Sequence, residues 1–147
     1  MLKEKIKERM IKSRPTKVFS YIHAEGRMGV LLELESDTDF GLRTNVVTDF
    51  AKEVMLQICG MNPLYIEEIH PLDLDVITSS FEIPDDKPEQ IQDRIREGKL
   101  KSHEKEVVLM EQHWVKDGTK TIKEMLADLN KEIGEDLKIV EFSRFGK

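Results

Sequence analysis

The feature that most constrains the fold of this chain is a change of apolar periodicity within the stretch from Gly29 to Phe50. Val30, Leu32 and Leu34 alternate with a period of two, which indicates a strand with one buried face. Further on, apolar pairs recur at 46/47, 50/51, 54/55 and 58/59, which is helical spacing. The change falls in an acid-rich turn over residues 36–40. We expect the strand and the helix to hold this turn at the surface, where functional loops are usually found.

The remaining patterns predict an α+β domain. Aromatic and β-branched residues indicate a hairpin of strands 17–23 and 28–35, and the stretch 137–145 is predicted to add a third strand to it. Helical spacing with start and stop signals predicts helices over 45–60, 88–111 with a kink at Gly98, and 122–133. The last of these has a capping box of Thr121 and Glu124. The predicted fold is one small antiparallel β-sheet of about three strands packed against several helices.

Two segments are predicted to lie outside this regular pattern. Residues 64–88 carry repeated prolines and acids, so we expect a connection with one short helix near 72–80. Asp117-Gly118 is predicted to form a turn. Residues 1–16 are predicted to be a basic N-terminal helix or linker, and residues 17–147 the core domain.

Charge and cysteine content narrow the classes of partner and compartment. The formal net charge of -6 and a pI near 5.3 argue against nucleic acid or an anionic membrane as the main partner. No apolar run approaches the roughly 18 residues of a membrane span. The single cysteine, Cys59, lies on the predicted apolar helix face and suits a reducing compartment. We therefore expect a cytoplasmic protein.

Catalytic and metal-binding motifs are missing from the sequence. There is no glycine-rich phosphate loop, nucleophile elbow or paired-histidine zinc motif. An enzyme that uses His103 and His113 with nearby acids is a weak hypothesis, because the spacing of these residues prevents one helix face from presenting them together. We predict no catalytic residues, cofactor or metal.

The turn at residues 36–40 allows two interpretations from the residues alone. In the first, Ser36 or Thr38 caps the following helix and Phe40 fills the core. In the second, Phe40 projects beside Asp39 as an exposed anchor, because aromatic side chains framed by polar residues are typical of binding hot spots.

Several stretches, in the same order along the chain, resemble a known family. They are SYIHAEGRMGVLLELESDTDFGLR at 20–43, KPEQI at 87–91, EGKLK at 97–101, EVVLMEQHWVKD at 106–117 and FSRF at 142–145. Together they are similar to the core, or dimerisation, domain of bacterial elongation factor Ts, over about residues 17–145. The resemblance implies a guanine nucleotide exchange factor for elongation factor Tu that acts in translation elongation and is not an enzyme.

The resemblance also implies a binding segment. Thr38, Asp39 and Phe40, followed by Gly41, correspond to the family segment that inserts near the nucleotide and magnesium site of elongation factor Tu, so that GDP leaves. The core resembles that of short-form members, which pair, and a homodimer is therefore expected.

Three departures from the family pattern leave an alternative open. Gly41 and Leu42 stand where the family typically has valine and alanine, and Glu35-Ser36 replaces the usual Asn-Cys. Glycine costs about 1 kcal/mol in a helix relative to alanine, which predicts a less rigid tip. The N-terminal ubiquitin-associated-like domain of the family is expected to be absent. The alternative is an exchange-inactive paralogue, or a truncated binding or dimerisation module.

Overall fold

The computed structural model describes residues 3–4 and 13–147, which divide into two compact units. The first contains the residues up to Cys59 together with Leu126–Lys147, and the second contains Gly60–Met125. Most of the helix or linker predicted for residues 1–16 lies outside the described residues. The predicted division at residue 17 therefore stays a prediction.

The first unit is built on a three-stranded antiparallel sheet. Its strands are β1 (Thr16–His23), β2 (Met28–Glu35) and β5 (Lys138–Gly146), in the spatial order β1-β2-β5. The predicted hairpin and the predicted third strand are thus confirmed, with β2 in the centre. Because β2 has a neighbour on each side, its backbone groups are paired along both edges.

The two faces of this sheet have different environments. Val30, Leu32 and Leu34 of β2 are almost completely buried, as the period-two pattern predicts. Register places Leu31 with Gly29 on the opposite, outer face. This outer face exposes apolar side chains, and its members are Val18, Ile22, Leu31 and Phe145.

Helices complete the core. α1 (Asp39–Leu42) and α2 (Asn45–Met61) follow β2, and α5 (Ile122–Ile133) precedes β5. One side of α2 is buried along its length, which confirms the helical pattern predicted for 45–60. Arg144 of β5 donates hydrogen bonds to the carbonyls of Ile58 and Cys59, at 3.1 and 3.0 Å. These carbonyls belong to the last turn of α2, where intrahelical donors are missing, so Arg144 ties that turn to the sheet.

The second unit contains two helices and a small hairpin. α3 (Pro71–Ser79) confirms the short helix predicted near 72–80, and α4 (Glu89–Val107) is followed by a 3-10 turn at Leu109–Glu111. The amides of Leu64 and Tyr65 both donate to the carbonyl of Val107, so α4 ends there rather than at 111. The helix is uninterrupted at Gly98, and the predicted kink stays a prediction.

The hairpin of the second unit was not predicted. β3 (His113–Trp114) pairs with β4 (Asp117–Thr121), and the turn between them is at residues 115–116. The turn predicted at Asp117-Gly118 is therefore wrong. Asp117 does bond the backbone two residues on, accepting from the amide of Thr119 at 3.0 Å, but it does so at the start of a strand.

The described part of the chain confirms the α+β class, with the added two-stranded sheet as its main difference from expectation. Among its helices, none has both the length and the apolar character needed to cross a membrane.

Candidate partner-binding tip

Phe40 lies at the surface of the first unit, in the second position of the single-turn helix α1. Its exposed fraction is 77%, one of the highest among the large apolar residues described. The interpretation in which Phe40 fills the core is therefore wrong. The neighbouring Gly41 and Leu42 are buried, so the ring projects outward from a base that is packed into the fold.

Thr38 begins the helix, as the capping interpretation predicted. Its backbone is extended, with φ -131° and ψ 153°, and its hydroxyl accepts a hydrogen bond from the amide of Gly41 at 3.1 Å. At the other end, the hydroxyl of Thr44 donates to the carbonyl of Gly41 at 2.9 Å. A helix of one turn has too few internal bonds to persist alone, so these side chains fix the backbone that carries Phe40.

Asp39 stands beside the ring and forms an exposed ion pair with Arg43 one turn on. Such exposed pairs contribute little to stability. Asp39 is thus held near Phe40 but remains accessible to a partner.

Glu135 supports the tip from the turn after α5. Its Oε1 accepts hydrogen bonds from the Thr38 amide at 2.8 Å, the Thr38 hydroxyl at 2.7 Å and the Ser36 hydroxyl at 3.1 Å. Ser36 itself is buried. The Thr38 hydroxyl is the main cause that lowers the pKa of Glu135 below its ordinary value. The ionised carboxylate is therefore the form that holds the loop.

A second set of contacts fixes the other side of the loop. Asp37 accepts from the amide of Asp136 at 2.9 Å and from Arg14 at 3.0 Å. The Asp136 amide is the first cause that lowers the pKa of Asp37. Arg14 also donates to Glu35 at 2.9 Å, so one guanidinium links the end of β2 to the turn.

Sequence reasoning did not identify Glu135 or Arg14 as support for the tip. Glu135 is 97 residues from Thr38 along the chain, and Arg14 is 23 residues from Asp37. Two acids, Glu135 and Asp136, follow Gly134 in the sequence, and no local pattern distinguishes one from the other.

The other polar residues considered in the sequence are not brought together. His103 is on α4 and its ring makes a T-shaped contact with the ring of Phe81, whereas His113 is on β3 and bonds the carbonyl of Gly118. Over residues 3–4 and 13–147, no three His, Cys, Asp or Glu side chains are grouped so that they could hold a metal ion. Cys59 is a buried free thiol, and burial raises its pKa, which confirms that it packs as an apolar residue.

Comparison with known proteins gives a consistent family. The family model described as Elongation factor TS matches residues 1–147. The chain is 36% identical over 134 residues to elongation factor Ts of Caldanaerobacter subterraneus subsp. tengcongensis, covering 87% of this chain and 66% of that protein. It is 38% identical over 134 residues to elongation factor Ts of Anaeromyxobacter sp. strain K, covering 87% and 61%.

A third relative is elongation factor Ts of Thermoanaerobacter sp. strain X514, which is 37% identical over 133 residues. The match covers 87% of this chain and 65% of that protein. The chain thus spans 61 to 66% of the length of these relatives. With a family model matched along its whole length, the chain belongs to the elongation factor Ts family.

Proposed function

We propose that this chain accelerates GDP release from elongation factor Tu, by inserting the tip formed by Thr38, Asp39, Phe40 and Gly41 beside the nucleotide and magnesium site. The observation that carries the proposal is the exposed Phe40 ring on a backbone that is capped and braced. Family membership supplies the partner.

The physical basis is differential binding. A tip that fits the open, nucleotide-free state of the partner better than the GDP state shifts the equilibrium toward that open state. By linkage, GDP weakens binding of the tip by the same factor, and such couplings are typically about 1–3 kcal/mol, or roughly 5- to 150-fold. No covalent bond is made or broken, so the chain acts as an exchange factor without catalytic side chains.

A braced tip suits this role better than a mobile one. Phosphate sites depend on aligned backbone N–H groups and magnesium, so a small displacement of these groups removes several favourable contacts. A loop that is already fixed in its binding conformation loses less entropy on insertion. The contacts of Glu135 and Asp37 support this argument, and they counter the expectation that Gly41 makes the tip less rigid.

The test is the release of fluorescent GDP from elongation factor Tu after mixing with excess unlabelled GDP. The proposal expects faster release in proportion to added chain. Binding to elongation factor Tu in a pull-down without faster release would overturn the proposal in favour of an exchange-inactive binding module. If the chain neither binds elongation factor Tu nor accelerates GDP release, both the proposal and the binding-module alternative are overturned.

We also propose that two copies of the chain pair through the outer face of the sheet. Val18, Ile22, Leu31 and Phe145 together expose an apolar surface there, and Ile22, Leu31 and Phe145 line a shallow groove of about 440 Å³. Exposed apolar side chains of this kind favour burial against a matching surface, and a two-fold pair brings the same face from each copy.

Sedimentation at micromolar concentration tests the pairing. A dimer is expected for the wild type and a monomer for Leu31→Glu, because a charge at the centre of the face would have to be desolvated. Val76→Glu is the matched control, since Val76 is 72% exposed in the second unit. A monomeric wild type would contradict the pairing.

A further inference from the structure

Gly41 and Glu135 occupy the same small volume beneath the Phe40 tip. A Cβ built on Gly41 would lie 2.6 Å from Cδ of Glu135, and closer still to Oε2. Real Cβ atoms do not make such contacts, so any side chain at position 41 displaces the carboxylate. The glycine thus provides the space in which the carboxylate lies.

The backbone of Gly41 gives no other reason for glycine. It lies inside α1, and the glycines with positive φ in the described chain are Gly26, Gly134 and Gly146. Alanine is conformationally acceptable in a helix and is normally preferred there to glycine. The flexible Glu135 side chain can move to relieve this clash, so the specific penalty at this position is the loss of the hydrogen bonds that its carboxylate accepts from Thr38 and Ser36.

The turn that carries Glu135 is itself fixed. Gly134 ends α5 with φ +69°, a left-handed conformation that favours glycine. The side chain of Asn130 then bonds Leu137 twice, accepting from its amide at 3.0 Å and donating to its carbonyl at 3.3 Å. Glu135 lies between Gly134 and Leu137, which are both held in place, so its carboxylate is presented to the loop from a rigid support.

We propose that Glu135 is a positioning residue for the Phe40 tip and that Gly41 is its required partner. The inference rests on the proposed function for its effect on exchange, but its structural part concerns the free chain alone. The carboxylate accepts from Thr38, and Thr38 in turn accepts from the amide of Gly41, so the orientation of α1 depends on the Glu135 side chain.

The proposal predicts that the effect of Gly41→Ala changes sign with the residue at position 135. In the wild type, the added methyl displaces the carboxylate and the loop loses its hydrogen bonds, so the melting temperature falls. In Glu135→Ala there is no carboxylate to displace, so alanine contributes its better helix propensity and its lower unfolded-state entropy. The melting temperature of the double variant should therefore exceed that of Glu135→Ala.

Amide hydrogen exchange of the free chain by NMR gives the local readout. Glu135→Ala and Gly41→Ala should each speed exchange of the Thr38 and Gly41 amides by about tenfold, because a lost hydrogen bond of ordinary strength changes an opening equilibrium by roughly that factor. Leu32 in β2 should keep its protection. Glu135→Gln retains an acceptor oxygen and should preserve protection of Thr38, whereas Glu132→Ala, on exposed α5 surface, is the matched control.

GDP release from elongation factor Tu completes the experiment. In both single variants and the double variant, the acceleration of GDP release should be reduced several-fold and to a similar extent, because all three lack the hydrogen bonds between Glu135 and Thr38. Unchanged Thr38 protection in Glu135→Ala, or additive effects of the two substitutions on melting temperature, would overturn the positioning role. If the wild type does not accelerate release, the proposed function fails instead, and the exchange and melting data still decide the positioning role.

Discussion

Replacing Phe40 by alanine removes the ring while leaving the groups that cap and brace α1 in place. The Thr38 hydroxyl and the Glu135 carboxylate bond backbone and hydroxyl groups, not the ring. Since the ring is 77% exposed, its loss also creates no cavity in the core. The folded chain should keep the stability of the wild type within about 0.5 kcal/mol.

The loss on binding can be worked from the exposed fraction. Full burial of a phenylalanine side chain contributes about 1.5–3 kcal/mol. Taking the 77% that is available for burial gives about 1.2–2.3 kcal/mol. This corresponds to a reduction of about 7- to 45-fold in the acceleration of GDP release at low chain concentration.

Stopped-flow release of fluorescent GDP, with the chain well below saturation, measures this reduction. Leu72→Ala is the control, since it removes an apolar side chain of similar exposure, 80%, from α3 of the second unit. It should change the release rate less than twofold. Retention of more than half of the acceleration by Phe40→Ala, or an equal loss in Leu72→Ala, would refute the role of Phe40.

Three further predictions concern the frame of the tip. Arg144→Ala leaves two carbonyls at the end of α2 without their charged donor, so the free energy of unfolding measured in urea should fall by about 1.5–3 kcal/mol. An unchanged urea midpoint would contradict a stabilising role for these hydrogen bonds. Leu32→Ala should lower the free energy of unfolding by about 2–5 kcal/mol, whereas Leu31→Ala, at a residue that is 47% exposed, should lower it much less. Equal losses would contradict a sheet with one buried and one exposed face. The pKa of Asp37 lies below its ordinary value of 3.8, so ionised Asp37 stabilises the fold above pH 3.8, and this contribution is lost as the pH falls further. The melting temperature of Asp37→Asn should therefore fall less steeply than that of the wild type below about pH 4. Identical curves of melting temperature against pH would contradict this.

The elements of the first unit were predictable because their signals are local. The alternation of Val30, Leu32 and Leu34 predicted β2, and the four-residue spacing after position 46 predicted α2. The hairpin β3–β4 was missed because two residues are too few to show a period, and Asp117-Gly118 displaced the predicted turn by two residues.

The candidate tip was predictable only in part. Thr38 as a cap follows from residue type and position, but two interpretations of Phe40 remained because an aromatic residue after a cap fits both a core and a surface. Its exposure depends on which residues surround α1 in space, and these come from distant parts of the chain. The pairing predicted from the family resemblance and the contacts of the tip with elongation factor Tu stay predictions.

The sequence by itself determined the class of fold, the central strand and helix, and the family, since each rests on periodicity or on motifs that are read locally or in order. Tertiary structure alone decided that Phe40 is exposed and that Gly41 provides space for Glu135. The physical reason is that hydrogen bonds and steric exclusion act over a few ångströms, whereas Thr38 and Glu135 are 97 residues apart until the chain folds.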